Sequence, residues 1–346
     1  MAKLSDISKM TGVSPSTVSR VINQDPTLSI SHDKREKILE VAANLAYLSP
    51  RQRRQNQPEQ QRIIARANYQ RGHQSPIQLC VVYHHSAEQE LDDPYFTYIR
   101  LGLEHKCQMH DITLKRVFKK DLSKHERELS QSNGVICVGN FTDAEIDYIL
   151  SLNAQLVCVD YSPNALNVDT VLCDRTKAAE FVVNTMLKNG TQRPAFIGNQ
   201  DERLQVFRAL TQQQGLYDAA RCIVSERFCI DSGFDGMNKM LRNCTAPDIL
   251  FAATDIVAMG AIKAIHQHGI RIPEDIQVIS INDIPSAEHL HPSLSTLRLY
   301  PHDMGETAVS LLLERFEGRC VSKSVIVGFQ FIWRDSFLKN KSNKSK

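Results

Sequence analysis

Residues 4 to 21, Leu-Ser-Asp-Ile-Ser-Lys-Met-Thr-Gly-Val-Ser-Pro-Ser-Thr-Val-Ser-Arg-Val, decide how the first part of the chain folds. Ile7 and Met10 fall on one helical face, and Thr11-Gly12-Val13 then interrupts the pattern. Ser14-Pro15 supplies an N-cap followed by proline at the first helical position. The stretch therefore predicts two short helices joined by a tight turn, which is the pattern of a helix-turn-helix.

The second of these helices, predicted at 15 to 22, carries short hydroxyl side chains and one arginine on its outer side, while Val18 and Val21 face inward with Val13. Short hydroxyls allow close approach to a phosphate backbone or a base edge, and an arginine can bind guanine bidentately. A plain helical hairpin with solvated serines is the alternative. The candidate DNA-binding residues are Ser14, Pro15, Ser16, Thr17, Ser19, Arg20 and Asn23, of which Arg20 and Ser16 are assigned to base edges.

A third helix is predicted at the expected distance, with Ser31 as its cap. Its apolar stripe comprises Ile38, Leu39, Val41, Ala42 and Leu45. The run Gly12-Val13-Ser14, Thr17-Val18-Ser19-Arg20-Val21-Ile22-Asn23, Ile38-Leu39-Glu40 and Tyr47 resembles the headpiece of the LacI/GalR family of repressors. That resemblance implies sequence-specific binding of double-stranded DNA rather than a plain hairpin.

Length and charge place the DNA-binding end of the chain. With 346 residues, 42% of them hydrophobic, the chain is long enough for a headpiece and a two-lobed body. The net charge is only +2, but residues 1 to 76 hold 12 Lys and Arg against 6 Asp and Glu. The remainder holds 29 against 33, so the basic end is the nucleic-acid end.

Cysteine usage and hydropathy bear on the compartment. The nine cysteines are scattered singly without CxxC spacing, several of them inside apolar runs such as Leu79-Cys80-Val81, which predicts reduced core thiols. There is no apolar run of the roughly 18 residues that a membrane span requires, and no apolar signal core at the N-terminus. These patterns predict a cytoplasmic protein with no membrane partner.

A basic, glutamine-rich segment follows the headpiece at 49 to 76. Six arginines and seven glutamines lie between Arg51 and Ser75, with Ile63 and Ile64 as the one apolar pair. The composition favours a linker that follows phosphates loosely, and the alternative is a hinge helix over Gln61 to Ala67 that inserts into the minor groove.

From Gln78 onward, short β-rich runs alternate with amphipathic stretches. Such alternation predicts parallel sheets covered by helices on both faces, with ligands beyond the carboxyl ends of the strands. The predicted strands are 78–83, 134–138, 155–159, 195–198, 248–252, 276–281 and 325–331. The predicted helices lie near 95–110, 142–152, 174–189, 203–214, 232–242, 255–268 and 302–316.

Polar residues recur where the predicted strands end. Carboxylates, amides and guanidinium groups are planar partners for the vicinal hydroxyls of a sugar, and aromatic faces stack on its ring. Each residue alone is more often a loop cap than a ligand contact, but their joint occurrence predicts a pocket. The candidate effector-binding residues are Asp93, Tyr95, Phe96, Asp160, Arg203, Thr254 and Asn282.

The body, over residues 77 to 338, also resembles the LacI/GalR effector domain, most recognisably in Ala253-Thr254-Asp255-Ile256-Val257-Ala258-Met259-Gly260 and Ser280-Ile281-Asn282-Asp283-Ile284-Pro285. The resemblance implies a periplasmic-binding-protein-like body in which Asp160 and Arg203 contact sugar hydroxyls. Thr254 stands where many members carry Asn, and Asn282 where many carry Asp. The segments 25–28, 92–95 and 282–285 are most similar to those of a repressor of a β-galactosidase operon, which implies a β-galactoside effector.

The sequence offers no constellation for catalysis. It has no Walker loop, no GxGxxG after a strand, no HExxH and no GxSxG, so we expect neither an enzyme nor a cofactor. The histidines at 84, 85, 105 and 110 are better explained by chance placement than by a metal site, since the chain has twelve.

Together these patterns predict an all-α headpiece at 1–48, a linker or hinge at 49–76, an α/β two-lobed body at 77–338 and a disordered basic tail at 339–346. The tail has no leucine heptads, so we expect a homodimer, whose two helices would enter successive major grooves of a pseudo-palindromic operator. The predicted function is a transcriptional repressor released by a sugar. A corepressor-responsive regulator and a sugar-binding protein with a vestigial headpiece are the alternatives.

Overall fold

The structure is a computed structural model that describes residues 4–22, 28, 30–45, 47, 77–86, 90, 93–165 and 167–338. They form two compact units, a helical headpiece and a larger α/β body. The predicted linker at 49–76, with its alternative hinge helix, and the tail at 339–346 lie outside the described residues. The boundaries drawn from the sequence therefore stay predictions.

The headpiece consists of three helices, α1 (Leu4–Thr11), α2 (Pro15–Ile22) and α3 (His32–Asn44). The turn between α1 and α2 contains Gly12, whose φ of +67° lies in the left-handed region that glycine adopts at little cost. The structure confirms two short helices joined by a tight turn, and α2 has the bounds predicted for the second helix. Their common core comprises Ile7, Val18, Val21, Ile38 and Ala42.

Two apolar residues of the headpiece lie elsewhere than predicted. Met10 is 59% exposed, although its spacing from Ile7 had placed both on the inner face. Leu39 of the predicted apolar stripe is 46% exposed. In both cases the helical period permits an inward position, but three short helices enclose only a narrow core, which the neighbouring side chains fill.

The body contains two six-stranded sheets with helices between their strands. The strands in chain order are β1 (Gln78–Tyr83), β2 (Thr113–Phe118), β3 (Gly134–Val138), β4 (Leu156–Val159), β5 (Asp169–Cys173), β6 (Pro194–Gly198), β7 (Cys222–Val224), β8 (Ile249–Ala252), β9 (Gln277–Asn282), β10 (Ser295–Arg298), β11 (Ser324–Val327) and β12 (Gln330–Ile332). The helices are α4 (Pro94–Met109), α5 (Glu126–Gln131), α6 (Asp143–Leu152), α7 (Arg175–Lys188), α8 (Glu202–Gln213), α9 (Ile230–Asn243), α10 (Asp255–Gln267) and α11 (Pro301–Phe316). Short 3₁₀ helices occupy Lys119–His125, Ala219–Arg221 and Pro285–His289.

The first sheet has the strand order β11-β5-β4-β3-β1-β2, and all of its neighbouring strands are parallel. The second has the order β12-β10-β9-β8-β6-β7, in which only the β10–β12 pair is antiparallel. The central strands are buried on both faces, as expected when helices cover a parallel sheet. The body is thus the predicted α/β arrangement of two parallel-dominated lobes.

Three connections cross between the lobes. They are Asp174 between β5 and α7, Leu299 and Tyr300 between β10 and α11, and Gly328 and Phe329 between β11 and β12. The prediction of a single strand at 325–331 was wrong, because the last crossing divides this segment between β11 and β12. The apolar run continues through Phe329, but the chain leaves one sheet and joins the other at this point.

The nine cysteines are all free, and five of them are buried, which agrees with the prediction of reduced core thiols. Among the described residues, no helix combines the length and the apolar character needed to cross a bilayer.

Candidate ligand cleft and nucleic-acid interface

A cavity of about 1070 Å³ lies between the two lobes, where the carboxyl ends of strands from both sheets meet. Chain reversal after each strand brings polar loop residues to this edge, as in other parallel α/β sheets. All seven residues predicted from the sequence to bind an effector line it, namely Asp93, Tyr95, Phe96, Asp160, Arg203, Thr254 and Asn282. Their contact with a ligand stays a prediction, but their convergence in one cavity is a property of the fold.

The wall formed by the first lobe centres on Tyr95 and Asp160. Asp93 caps α4 by accepting a hydrogen bond from the backbone N–H of Tyr95 at 3.0 Å, and this bond fixes the first turn of the helix. The Tyr95 hydroxyl then donates to Asp160 Oδ1 at 3.1 Å. Burial raises the pKa of Asp160 above its usual value, an effect that the nearby Arg175 opposes.

Arg175 was not predicted from the sequence, yet it joins the two walls. It begins α7, which packs against the second lobe, and its Nη1 lies 3.1 Å from Asp160 Oδ2 of the first lobe. Its Nη2 lies 3.4 Å from Glu202 Oε1 at the start of α8. Arg175 follows the end of β5 and could have been found from that position. It was missed because the sequence pattern did not predict a strand at β5.

In the second lobe, Arg203 lies near the start of α8 and is held by several bonds. Its Nε and Nη2 donate to the Asp201 carboxylate, Nη2 at 2.5 Å, and its Nη1 donates to the Ala253 carbonyl at 2.9 Å. The guanidinium also lies 4.7 Å from the ring centroid of Phe228. Since arginine has five N–H donors, these bonds leave two of them for a ligand in the cleft.

Thr254 directly precedes Asp255, a buried carboxylate that organises this lobe, and Asn282 lies between two of the residues bonded to it, Ser280 and Ile284. Thr254 caps α10 by accepting from the Val257 N–H at 3.5 Å. The next residue, Asp255, accepts from the Ser280 and Thr296 hydroxyls at 2.5 and 2.6 Å and from the Ile284 N–H at 2.8 Å. Burial raises the pKa of Asp255 to about 7. The bond from Ile284 holds the loop after β9 in place, and those from Ser280 and Thr296 connect the start of α10 to β9 and β10.

Three buried polar atoms that belong to the cleft lining have no hydrogen-bond partner among the described residues. They are Asn282 Nδ2, Asn199 Oδ1 and His85 Nε2. Buried polar atoms are rarely left without a partner, so each indicates a place for a ligand or a bound water. Asn282 has in addition a φ of +129°, which costs free energy for a side-chain-bearing residue and is typical of functional sites.

One end of the cleft is lined by the predicted Phe96 and by two histidine rings, His84 and His85, which the sequence had not assigned to a binding site. The rings of His85 and Phe96 have centroids 4.5 Å apart and are inclined by 32°, and His84 packs edge-on against the same Phe96 at 5.2 Å. Burial lowers the pKa of His85 to about 4, so both the position and the charge state suit an uncharged ligand. His84 and His85 directly follow β1, and this position at a strand end could have identified them from the sequence.

The other candidate interface lies on α2 of the headpiece. Ser14 Oγ accepts from the Thr17 N–H at 3.3 Å, which makes it the predicted N-cap. Its hydroxyl also lies 2.9 Å from those of Ser16 and Thr17, so the three form a compact polar group. Pro15, Ser16 and Arg20 are exposed, Thr17 and Ser19 are half-buried, and Asn23 lies outside the described residues.

Comparison with known proteins identifies the family of both parts of the chain. The N-terminal part, residues 3–49, matches the model of bacterial regulatory proteins of the lacI family, and residues 183–337 match that of the periplasmic binding protein-like domain. The HTH-type transcriptional regulator GalR of Streptococcus thermophilus is 31% identical over 324 residues, which cover 90% of this chain and 92% of the relative. The chain belongs to the lacI family. It is accordingly a DNA-binding transcriptional regulator and not an enzyme.

Solved structures show the same fold at lower identity. A transcriptional regulator CelR–cellobiose complex superposes with a TM-score of 0.68 at 21% identity and covers 97% of this chain and 100% of that one. A lac repressor dimer bound to operator and the anti-inducer ONPF gives 0.67 at 20% identity, covering 97% and 99%. At these sequence identities, the similarity shows that this lacI-family protein has the same fold as the two solved structures.

Proposed function

We propose that this lacI-family protein is a homodimeric repressor of carbohydrate-utilisation genes that leaves its operator when a small sugar, of the β-galactoside class, binds in the cleft. The observation that carries the proposal is the lining of the cavity of about 1070 Å³, where buried polar atoms with no partner in the described part of the chain lie beside aromatic rings. The likeness to a regulator solved with cellobiose supports a sugar as the ligand.

The chemistry of the lining suits an uncharged polyol. Arg203 offers two N–H donors in one plane, and Asn282 Nδ2 adds a third donor on the same lobe. Asp160 supplies carboxylate oxygens from the opposite lobe, while Phe96 and Phe228 provide flat faces for the C–H side of a pyranose ring. A volume near the upper end of the range for small-molecule pockets leaves room for a disaccharide.

Because the proposed contacts come from both lobes, the sugar can favour one lobe arrangement over another. Such a difference in affinity is what any ligand-driven change requires, since a ligand that binds two states equally shifts neither. In the structure Arg175 already bridges Asp160 and Glu202 across the cleft. A sugar hydroxyl that replaces one of these partners would alter the bridge and thereby the relative position of the lobes.

The headpiece supports the DNA side of the proposal. Arg20, Ser16 and Ser14 lie on the exposed side of α2, while Val18 and Val21 anchor that helix in the core. A second copy related by a two-fold axis would present the same helix to a neighbouring half-site. The relative solved as a dimer on its operator supports this assembly.

The proposal is tested by a nuclease footprint of the purified full-length protein on the DNA upstream of its own gene, at one fixed salt concentration. We expect a symmetric protected site that disappears with lactose and persists with maltose. An Arg203→Ala variant should protect the same site and no longer respond to lactose, whereas Arg271→Ala, in an exposed ion pair with Asp275, should behave as the parent.

Other outcomes contradict parts of the proposal. Protection that strengthens with sugar would indicate a corepressor-responsive regulator. Protection that ignores lactose would contradict the galactoside class. Tight sugar binding with no protected site at any sugar concentration would indicate a sugar-binding protein with a vestigial headpiece.

A further inference from the structure

Helices α4 and α11 of the first lobe pack against each other with their backbones in contact. A Cβ atom placed on Gly102 would lie 2.0 Å from the His302 carbonyl oxygen, and one placed on Gly305 would lie 2.2 Å from that of Ile99. Only glycine permits so close an approach at these two positions. The crossing therefore fixes the separation of the side chains that project beside it.

Three potential metal ligands project beside this crossing. His105 follows Gly102 by three residues on α4, while His302 and Glu306 lie one turn apart on α11, on either side of Gly305. His105 Nδ1 lies 2.6 Å from Glu306 Oε1, and His302 Nδ1 lies 3.7 Å from the same oxygen. One ligand atom from each residue can be chosen so that all three lie within 4.8 Å of one another. Among the described residues there is no other group of three or more potential ligands this close together.

We propose that His105, His302 and Glu306 bind a divalent transition-metal ion of the Zn²⁺ type. Metal–ligand distances of about 2.0 to 2.2 Å in a tetrahedral site place neighbouring ligand atoms roughly 3.3 Å apart. The observed separations of 2.6 and 3.7 Å lie on either side of that value, so small side-chain rotations complete the geometry. Two imidazole nitrogens and one carboxylate leave a fourth position for water.

The donor set favours this class of ion over the hard cations. Imidazole nitrogen binds Zn²⁺, Ni²⁺, Co²⁺ and Cu²⁺, whereas Mg²⁺ and Ca²⁺ require mostly oxygen ligands. All three side chains are partly exposed, with 54% for His105, which leaves the site open to an ion from solution.

From the sequence, His105 was attributed to chance placement among the twelve histidines, and no metal site was predicted. His302 and Glu306 lie far from His105 along the chain. The packing of α4 on α11 is what brings them together. A bound ion would connect α4, whose first residues line the ligand cleft, with α11, which begins directly after a crossing between the lobes. The site is thus placed to stiffen the first lobe next to the cleft.

The test is a titration of the full-length protein with Co²⁺ after treatment with a chelator, followed by the visible absorption bands of tetrahedral cobalt. We expect one ion per chain. The variants His105→Gln, His302→Gln and Glu306→Gln should each bind at least about 10-fold more weakly, since even outer-shell substitutions cost that much. His110→Gln, at the end of the same α4 and exposed, is the matched control and should bind as the parent.

A second readout separates metal binding from the hydrogen bond already present between His105 and Glu306. At pH 8 the parent and the His110→Gln control should melt at a higher temperature with Zn²⁺ than without it, and the three ligand variants should not. Equal cobalt affinity in the parent and the ligand variants would overturn the proposal. Thiolate-to-cobalt charge-transfer bands in place of the expected spectrum would also overturn it, since they would assign the ion to cysteine.

Discussion

Arg175 Nη1 of the second lobe lies 3.1 Å from Asp160 Oδ2 of the first, so this ion pair spans the cleft between the two lobes. Asp160 is almost completely buried, with 7% of its side chain exposed, and Arg175 is 31% exposed. The Tyr95 hydroxyl donates a hydrogen bond to the other oxygen of the Asp160 carboxylate. The arrangement makes Asp160 dependent on a residue from the opposite wall.

Replacement of Arg175 by methionine should therefore destabilise the body and weaken ligand binding. Removing one partner of a fully buried pair costs about 3 to 5 kcal/mol, but solvent screens the partly exposed guanidinium, so we expect about 1 to 3 kcal/mol. The loss is measured by urea unfolding. Arg271→Met, which breaks an exposed pair with Asp275, is the control and should cost below about 1 kcal/mol. Equal losses in the two variants would mean that the cleft pair adds nothing.

Arg20→Ala should weaken specific DNA binding by about 1 to 3 kcal/mol, because a bidentate arginine contact discriminates between bases by that amount. Arg20 lies on the exposed side of α2 and is the only arginine of that helix. The measurement is a titration of labelled operator at fixed salt. Lys9→Ala on α1 serves as the control and should lower affinity for operator and unrelated DNA alike. Unchanged operator affinity of Arg20→Ala would remove this residue from the interface.

Asp255→Asn should change how stability depends on pH. The pKa of Asp255 is about 7 in the folded protein, against an ordinary value of 3.8, so the folded state binds a proton that the unfolded state releases. This contribution to stability is present below about pH 4 and is lost as the pH rises through 7. The asparagine variant, which does not titrate, should gain stability relative to the parent between pH 5 and pH 8.

Urea unfolding monitored by the fluorescence of Trp333, the single tryptophan, measures this difference in the lobe that contains Asp255. The pKa of His85, lowered by burial to about 4, has the opposite effect on stability, since this side chain is neutral in the fold and charges as the pH falls. It is present in both proteins and cancels in the comparison. Stability curves that stay parallel across this range would show that Asp255 is ionised throughout.

Gly102→Ala should destabilise the first lobe by about 1 to 3 kcal/mol or more, since the added Cβ would lie 2.0 Å from a backbone oxygen that cannot move aside without displacing α11. The matched control is Gly328→Ala, where an added Cβ has no neighbour within 4 Å. Thermal melts of both variants give the comparison. A melting temperature for Gly102→Ala equal to that of the control would show that the two helices separate without cost.

The sequence predicted those parts of the site that depend on strand ends. Asp160 follows the buried run of β4 and Thr254 follows that of β8, and parallel strands bring such residues to one edge whatever the details of packing. Arg175 could not be placed in the same way, because its pairing with Asp160 depends on how the chain passes from one lobe to the other. The break at Gly328 was missed for the same reason, since a crossing between sheets leaves the apolar pattern intact.

The sequence also predicted poorly which apolar side chains are exposed to solvent. Ile7 and Met10 lie three residues apart on one face of α1, but only Ile7 is buried in the core of the headpiece. Periodicity gives the face of a helix, and the size of the partner surface decides how much of that face is covered. The cleft histidines illustrate the same limit, because their burial comes from Phe96 and Gly139, which lie elsewhere in the sequence.

The crossing at Gly328 and Phe329 also has a consequence for protein synthesis. The nine residues from Ser324 to Ile332 supply an edge strand to each sheet, β11 beside β5 and β12 beside β10. Until the ribosome has released them, both sheets expose an unpaired edge of the kind that promotes aggregation. Neither lobe is therefore complete until this segment has been synthesised, and a chain terminated before Ser324 would be a substrate for chaperones and proteases rather than a smaller regulator.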